Sequence, residues 1–234
     1  MKSATPLGNL QIGAAPCVVG TITSAAALKT FAGRRIEACD IVEVRLDQIG
    51  QTENWLILSQ EIESSGTPVI LTTRVRSEGG KWPDHDKSRL HVIREGLTHL
   101  SAVDVEFKSD LLVQVCADAM ALKKTVIVSF HDFDKTPPFE ELKTIATKAA
   151  KHGTVVKIST MVKTNEDIAT LQKLLDCGLG VPVCIIGMGA FGTKTRVTFP
   201  AQGSCLTYGY LDAPSAPGQL SAETLSEQLR SLVH

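Results

Sequence analysis

Two kinds of apolar segment alternate along the whole chain. The first is a short run rich in Val, Ile and Thr, which is typical of a buried β-strand. The second is a longer stretch whose apolar residues recur every three or four positions, which is typical of one face of a helix. This alternation predicts repeated strand–helix units. Eight strands are predicted, in the segments CVVGTIT, DIVEVRLD, PVILTTRV, AVDVEF, TVIVSFHD, VVKIST, VPVCIIGM and CLTYGYL.

The stretches between the predicted strands carry helix signals. Thr164 and Asp167 have the spacing of a capping box, and Ser24 is placed to cap the first helix. After the seventh strand, the segment FGTKTRVTFP contains β-branched residues and a proline, so only a short helix is expected there. Helical spacing is found in the sets Leu90, Ile93, Leu97 and Leu100; Leu142, Ile145 and Ala149; Ile168, Leu171, Leu174 and Leu175; and Leu225, Leu229 and Leu232.

Eight such units in 234 residues predict an α/β protein with a single (β/α)8 TIM barrel. No segment rich in Pro, Gly or Ser divides the chain, so one domain spanning residues 1–234 is expected. In this fold, the functional site lies at the C-terminal ends of the strands and in the loops that follow them.

Charge and composition narrow the possible partners. The 24 Lys and Arg residues nearly balance the 25 Asp and Glu residues, so neither nucleic acid nor an anionic membrane is an expected partner. The longest apolar run, VPVCII, is far shorter than the roughly 18 residues of a membrane span. The N-terminus has no unbroken apolar stretch of a signal peptide, which predicts a cytoplasmic protein. The six cysteines form no C-x-x-C pair, so buried free thiols are expected and a metal site is not.

Ionisable residues interrupt strands that should be almost wholly apolar. For any one of them, a salt bridge at the barrel rim is a sufficient explanation. Six strands show the same pattern late in their length, however, and this coincidence favours a functional site at one end of the barrel. The residues are Glu43, Arg45 and Asp47 on the second strand, Arg74 at the end of the third, Asp104 and Glu106 on the fourth, His131 on the fifth and Lys157 on the sixth, while the eighth leads into APSAPGQ.

Lys157 lies among Val155, Val156 and Ile158, in a run that is otherwise suited to burial. A lysine amine withdrawn from water is neutral for part of the time, and a neutral amine is a nucleophile. Its attack on a ketone gives a Schiff base, which makes a neighbouring C–H bond acidic. The alternative is that Lys157 forms an ion pair with Glu106 or Asp104.

Schiff-base chemistry also needs a group that transfers protons near neutral pH, and His131 is the candidate. It closes an apolar strand directly before the strand of the lysine, so the two residues are expected to be neighbours. A carboxylate should orient its ring, and Glu78, Glu43 and Asp104 are candidates by position. The other histidines are predicted to be solvated: His85, His91 and His99 on a helix, His152 in a turn and His234 at the terminus.

Arg45, Arg74 and Arg196 add guanidinium groups to the same end of the barrel. Arginine binds carboxylate or phosphate through two parallel hydrogen bonds. The expected small-molecule substrate is therefore an anion that carries a ketone.

The segment GMGAFG offers a rival interpretation. Gly187, Gly189 and Gly192 match the G-x-G-x-x-G pattern, and Asp212 follows about twenty residues later, as in a dinucleotide-binding fingerprint. That fingerprint belongs to a first strand–helix unit and opens a strong helix. Here it follows the seventh strand, and nicotinamide binding is disfavoured.

In this arrangement the chain resembles the type I 3-dehydroquinate dehydratase family. The resemblance runs from the second strand to the C-terminal loop, and its specificity comes from the order of several short motifs. They are EVRLD, TTRVRSEGG, VDVEF, SFHDFDKTP, VVKIST, GMGAFGTKTR and SAPGQ.

The resemblance implies a Schiff-base enzyme of the shikimate pathway that works without metal or cofactor. Lys157 would form an imine with the C3 ketone of 3-dehydroquinate. His131, held by Glu78, would remove a proton from C2 and help to expel the C1 hydroxyl as water, which gives 3-dehydroshikimate. Members of the family are often homodimers. The groups that would hold the substrate are Glu43, Arg45, Arg74, Arg196, Ser215 and Gln219.

Two departures from the family pattern affect loops. Thr195 stands where the family has a serine, and the loop EGGKWPDHD is compact. Two other functions stay open: a lysine-dependent aldolase-class barrel acting on a different keto acid, and a barrel that binds a metabolite without converting it.

Overall fold

The computed structural model describes residues 4–232, and it begins with a small hairpin. Strands β1 (Thr5–Leu7) and β2 (Leu10–Ile12) pair antiparallel. Leu7 and Ile12 are buried against the apolar interior of the barrel, so the hairpin covers its N-terminal end. The sequence pattern did not predict this hairpin. The expected surface position of His234 lies outside the described residues.

Eight parallel strands then form one sheet in the order β10-β3-β4-β5-β6-β7-β8-β9. The two edge strands come together where the backbone N–H of Cys205 donates to the carbonyl oxygen of Val183 at 2.8 Å. The sheet is therefore a nearly closed barrel, and the predicted (β/α)8 fold is confirmed. The strands are β3 (Cys17–Ile22), β4 (Ile41–Arg45), β5 (Val69–Thr72), β6 (Ala102–Glu106), β7 (Thr125–Asp132), β8 (Val155–Met161), β9 (Val183–Met188) and β10 (Leu206–Tyr210).

Helices fill the connections between the strands. Ser24 caps the first of them and Thr164 forms the predicted capping box with Asp167. The helix after β9 is short, as expected. The helices are α1 (Ala25–Phe31), α2 (Leu46–Ile49), α3 (Trp55–Ser64), α4 (Ser88–His99), α5 (Leu112–Ala121), α6 (Phe139–Ala149), α7 (Asn165–Leu175), α8 (Gly189–Gly192), α9 (Thr195–Ala201) and α10 (Ala222–Leu232), with a 3₁₀ turn at Arg76–Glu78. Within residues 4–232, no helix has both the length and the apolar character that crossing a membrane requires.

The barrel interior changes from apolar to polar along the strands. Ile41 belongs to the apolar interior, and Glu43 follows it two residues later on the same strand; Val155 and Lys157 repeat the pattern on β8. Because residues two apart on a strand point to the same side, a polar layer lies directly above an apolar one. The ionisable residues thus gather at the C-terminal end of the barrel, as predicted.

Three local predictions were wrong. Arg74 was expected to end the third strand, but β5 ends at Thr72 and Arg74 lies in the loop just after it. Asp47 was expected on the second strand, but β4 ends at Arg45 and Asp47 lies in the short helix α2, where it binds Arg45 and the backbone N–H of Lys81. His85 was expected on a helix, but it lies in the turn before α4, with a φ of 60°. Asp86 accepts hydrogen bonds from Ser88 at the helix start, so the chain becomes helical only after this point. His85 is exposed, as are His91, His99 and His152.

The cysteines of the described part of the chain lie mostly in the apolar interior, as expected. Cys177 is half-buried, and the other cysteines are buried: Cys17, Cys39, Cys116, Cys184 and Cys205. Among residues 4–232, no group of three or more His, Cys, Asp or Glu side chains is arranged to hold a metal ion.

Candidate active site

A narrow cleft opens at the C-terminal ends of the strands. All nine side chains that the family resemblance assigned to the site line it, from six different strands or the loops that follow them. They are Glu43, Arg45, Arg74, Glu78, His131, Lys157, Arg196, Ser215 and Gln219. Further lining residues are Thr21, Gly79, Phe133, Ser159, Ile186, Met188, Tyr208 and Ala216.

Lys157 lies in the middle of β8 and is 5% exposed. Its Nζ donates to Asp104 Oδ2 at 3.1 Å and lies 3.7 Å from Glu43 Oε1. The ion pair with Asp104 that the sequence left open is present, whereas Glu106 contacts Arg74 instead. The amine is therefore not isolated. Two carboxylates offset the cost of removing its positive charge from water, and both are close enough to accept a proton from it.

Asp104 is the centre of this charge cluster. It accepts hydrogen bonds from Arg74 Nη2 and from Ser129 Oγ, both at 2.6 Å, in addition to that from Lys157. Burial acts to raise the pKa of Asp104, but the charges of Arg74 and Lys157 outweigh burial and hold the pKa well below its usual range. Asp104 therefore stays ionised and keeps a fixed negative charge beside the amine.

Glu43 is held on the other side of the amine. Its Oε1 accepts from Thr72 Oγ1 at 2.8 Å and its Oε2 from Thr21 Oγ1 at 3.4 Å. Both donors come from strands next to β4 in the barrel. These contacts fix the carboxylate, so its distance to Nζ is set by the barrel itself.

His131 lies near the end of β7, and Glu78 holds it from the 3₁₀ turn after β5. Glu78 Oε2 accepts from the backbone N–H of His131 at 3.1 Å and lies 2.9 Å from its Nδ1. Of the three carboxylates considered for this role, Glu78 is the partner, while Glu43 and Asp104 face Lys157. An Nδ1–H bound to Glu78 leaves Nε2 as the ring nitrogen that can accept a proton.

The protonation of this pair is set mainly by burial. Burial, followed by the charges of Arg74 and Lys157, lowers the pKa of His131 well below its ordinary value. Burial raises the pKa of Glu78 to about 7, against the opposing charge of Arg74. The imidazole is thus neutral near pH 7, in the form that acts as a base.

A glycine and an aromatic ring support the imidazole. The Phe133 ring stacks on His131, with ring centres 6.2 Å apart and an interplanar angle of 19°. Gly79 ends the 3₁₀ turn with a φ of 78°, and a Cβ placed on it would lie 2.4 Å from the Phe133 ring. Glycine at this position therefore lets the turn that carries Glu78 close over the ring.

His131 and Lys157 occupy neighbouring strands, as predicted. In the register of β7 and β8, Ser129 is opposite Lys157 and His131 is opposite Ser159. His131 is therefore one interior-facing step further along its strand than Lys157, nearer the cleft mouth.

The three arginines differ in their partners. Arg45 forms two hydrogen bonds with Asp47, at 2.8 and 2.9 Å, and Arg74 is paired with Asp104 and Glu106. Arg196 is 2% exposed and, among the described residues, has no carboxylate within ion-pair distance. Burial lowers its pKa to about 10. An uncompensated buried cation at the cleft favours an anionic ligand.

Arg196 also organises the loop that carries Ser215 and Gln219. Its guanidinium donates to the carbonyl oxygens of Gly218 at 3.0 Å, Tyr208 at 3.1 Å and Pro217 at 3.4 Å. Within the loop, the N–H and Oγ of Ser215 donate to Gln219 Oε1 at 2.6 and 3.1 Å. The loop is therefore tied to Arg196 through its backbone, and its two polar side chains lie next to each other in the lining of the cleft.

The segment GMGAFG forms the turn that leads to Arg196. Thr195 Oγ1 donates to the carbonyl of Gly192 at 2.6 Å and accepts from the N–H of Gly187 at 2.9 Å. A Cβ on Gly192 would lie 2.4 Å from the Gly187 backbone, so these glycines pack on each other. Asp212, the acidic residue of the rival pattern, binds the N–H and hydroxyl of Thr23. These residues are thus engaged in shaping the barrel loops.

The sequence analysis missed two buried residues of the site region. Arg89 on α4 donates to Thr73 Oγ1 at 2.9 Å and also to Glu106. It stands four residues before Ile93 on the apolar helix face, which is the signal that could have identified it. The second residue is Tyr208 on β10, whose ring centre lies 4.0 Å from Lys157 Nζ.

The chain is similar in sequence to known proteins over most of its length. A sequence model described as type I 3-dehydroquinase matches residues 17–234. A 3-dehydroquinate dehydratase of Methanocella arvoryzae is 34% identical over 220 residues, covering 93% of this chain and 97% of the relative. A 3-dehydroquinate dehydratase of Methanococcoides burtonii is 32% identical over 234 residues, with 97% and 98% covered.

Solved structures with the same fold include a type I 3-dehydroquinate dehydratase of Clostridium difficile with covalently modified comenic acid. It superposes with a TM-score of 0.88 at 26% identity, covering 99% of this chain and 98% of the other. The similarity thus extends over the whole barrel, including every strand that contributes to the cleft.

Proposed function

This chain belongs to the type I 3-dehydroquinase family, and from that membership and the geometry of the cleft we propose that it dehydrates 3-dehydroquinate through a Schiff base on Lys157. The enzyme is a lyase of the 3-dehydroquinate dehydratase class. The observation that carries the proposed mechanism is the position of Lys157 Nζ, which is buried between Asp104 and Glu43 on the strand next to that of His131.

In the first step, Lys157 Nζ attacks the C3 ketone of the substrate. A C–N bond forms, and the ketone oxygen leaves as water with the two protons that the ammonium gives up. Asp104 and Glu43 are within reach of these protons, so either can accept one while the amine attacks. The resulting iminium carries a positive charge that the same two carboxylates stabilise.

In the second step, His131 removes a proton from C2. The iminium accepts the electron pair of the broken C–H bond, which makes this proton acidic enough for a neutral imidazole. The electron pair then returns from the nitrogen to form the C1–C2 double bond. The C1 hydroxyl leaves as water, with a proton from His131. Hydrolysis of the imine releases 3-dehydroshikimate and restores the amine.

The substrate carboxylate is assigned to Arg196, because this guanidinium has no anionic partner among the described residues. Ser215 and Gln219 line the same cleft and are assigned as further donors to the substrate. Glu43, Arg45 and Arg74 line the remaining walls and are assigned to the substrate hydroxyls. These steps use side chains alone and require neither a metal nor a cofactor.

Three wider predictions accompany this function. The reaction is placed in the shikimate pathway of aromatic amino acid biosynthesis, the enzyme in the cytoplasm, and the assembly as a homodimer formed from one (β/α)8 catalytic domain per chain. Sedimentation equilibrium of the purified protein tests the last of these.

Activity is tested by mixing the protein with 3-dehydroquinate and following the absorbance of the conjugated enone product. Its appearance supports the proposal and excludes a barrel that only binds a metabolite. A panel of other keto acids with borohydride separates this function from another lysine-dependent aldolase-class reaction. A reduced adduct on Lys157 with 3-dehydroquinate alone is expected, and turnover of a different keto acid in its place would contradict the assignment.

A further inference from the structure

Asp47 is a buried carboxylate that the steps above do not use. It lies in α2, just past the end of β4, and its side chain is fully withdrawn from solvent. It is not among the residues that line the cleft. A carboxylate is costly to bury unless its oxygens are paired, so the partners of Asp47 indicate what it contributes.

The first partner is Arg45. Its Nε and Nη2 donate to Asp47 Oδ1 and Oδ2 at 2.8 and 2.9 Å, a two-point contact that fixes the plane of the guanidinium. Burial acts to lower the pKa of Arg45, but the hydrogen bonds and the charge of Asp47 raise it above its ordinary value. Nη1 forms no hydrogen bond within residues 4–232, and Arg45 lines the cleft. This edge of the guanidinium is therefore held in place and open to a ligand.

The second partner is the turn that carries Glu78. The backbone N–H of Lys81 donates to Asp47 Oδ2 at 3.1 Å, so the turn is attached to α2 just after Glu78. The N–H of Gly80 donates to the carbonyl oxygen of Val75 at 2.9 Å, which ties together the chain on both sides of Glu78. A displacement at Lys81 is therefore transmitted to Glu78.

We propose that Asp47 is a positioning residue, whose single carboxylate both fixes the open edge of Arg45 and holds the Glu78 turn in place. The inference rests on the function proposed above, in which Arg45 binds a substrate hydroxyl and Glu78 orients His131. Arg45 acts when the substrate binds, and Glu78 acts when the proton is removed. One carboxylate thus aligns the substrate with the base.

The contact with the turn has a measurable signature. Burial raises the pKa of Glu78 to about 7, and His131 is an effective base only while Glu78 is ionised. Loosening the turn admits water to Glu78 and lowers this pKa, so kcat/KM should fall at a lower pH on acidification. The other groups that act on Glu78 are not bound by Asp47. They are Arg74 and the N–H of His131, which lower its pKa, and Glu106 and Asp104, which raise it.

Asp47→Ala removes both contacts. The KM for 3-dehydroquinate should rise roughly 10- to 100-fold, the effect of losing a hydrogen bond from a charged group. The acidic fall of kcat/KM should move from about pH 7 to lower pH, by roughly one pH unit. Steady-state kinetics between pH 5 and 9 measure both effects.

Two further variants disturb only the contact with Arg45. Asn at position 47 can still accept from the N–H of Lys81, but its amide group presents hydrogens to the guanidinium. Asp47→Asn should therefore raise the KM and leave the acidic fall near pH 7. Arg45→Lys should do the same, because an ammonium does not reproduce the two-point contact.

Lys81→Ala is the matched control, since exposed Lys81 contributes only its backbone groups to these contacts. It should keep the wild-type KM and pH profile. Thermal denaturation identifies loss of folded protein in each variant. A purely structural role of Asp47 would lower the melting temperature without moving the pH at which kcat/KM falls.

The outcomes keep the two proposals apart. An acidic fall at the wild-type pH in Asp47→Ala, or a wild-type KM in Asp47→Asn, would overturn the role of Asp47 alone. If Asp47→Ala does not fold, the KM of Asp47→Asn decides. Failure of the wild type to convert 3-dehydroquinate would overturn the proposed function and this inference with it.

Discussion

Glu78 Oε2 accepts the backbone N–H of His131 at 3.1 Å and lies 2.9 Å from Nδ1 of the same residue. One carboxylate oxygen thus fixes both the position of the strand end and the orientation of the ring. Because burial raises the pKa of Glu78 to about 7 and lowers that of His131, the proton taken up first on acidification is shared by this pair.

This relationship predicts the pH dependence of the reaction. Below pH of about 7, protonated Glu78 no longer accepts the Nδ1–H, so the ring hydrogen can move to Nε2 and the base is lost. The wild-type kcat/KM should therefore fall as the pH decreases through about 7. Glu78→Gln should have low activity, and its kcat/KM should not fall as the pH decreases through about 7. Exposed Glu95→Gln should show the same fall as the wild type. A limb near the same pH in Glu78→Gln would assign the titration to another group.

His131→Ala should separate the two halves of the reaction. Lys157 keeps its contacts with Asp104 and Glu43, so the imine can still form and should accumulate. Proton removal from C2 should be slower by roughly 10²–10⁴-fold, the usual cost of losing an acid–base group. Borohydride trapping and single-turnover kinetics measure the two effects, with exposed His91→Ala as the control. Equal loss of trapping and turnover in His131→Ala would place the histidine in imine formation instead.

Arg196→Ala should raise the KM for 3-dehydroquinate more than it lowers kcat, because the substrate carboxylate loses its cation. The variant also loses the hydrogen bonds to Gly218 and Pro217, so the loop should become more susceptible to proteolysis unless ligand is bound. Arg196→Lys should recover the charge but only part of the affinity. Exposed Lys194→Ala, two residues away, is the control for steady-state kinetics. An unchanged KM in Arg196→Ala would exclude the carboxylate assignment.

Arg89 provides a prediction about stability. Its buried guanidinium binds Glu106 and Thr73, and Glu106 in turn accepts the N–H of Val75 at 3.1 Å. Arg89→Ala leaves that carboxylate with one fewer cation and should lower the free energy of unfolding by about 3–5 kcal/mol. Arg94→Ala, on the same helix, removes a half-exposed ion pair with Asp118 and should cost less than about 1 kcal/mol. Urea denaturation of both variants makes the comparison, and equal costs would contradict it.

The barrel could be predicted because its strands are buried on both faces and therefore read as continuous apolar runs. Against that background, charged residues such as Glu43 and Lys157 are conspicuous. Where charged residues alternate along one strand, as Glu43 and Arg45 do, the alternation predicts that they point to the same side of the sheet. Asp47 continues this alternation in the sequence although β4 ends before it, since the pattern carries no mark of where hydrogen bonding stops. The strands of the N-terminal hairpin have three residues each, too few to show a period.

The sequence did not reveal contacts between elements that are far apart along the chain. Arg89 reaches Glu106 from a helix on the outside of the barrel, and Tyr208 reaches Lys157 across its interior. Neither pair has a characteristic spacing along the chain. By position alone, the partner of His131 was similarly left among three carboxylates, because the turn that carries Glu78 had no predictable shape; only the family resemblance indicated Glu78.

The central claim is that Lys157 forms the covalent bond to substrate. Its most direct test is the mass of the intact protein after borohydride reduction with 3-dehydroquinate, followed by peptide mapping. The expected result is one added reduced ligand per chain, on the peptide that contains Lys157, with no adduct and no turnover in Lys157→Ala and both retained in exposed Lys163→Ala. Turnover without any adduct, or an adduct on a different lysine, would contradict it.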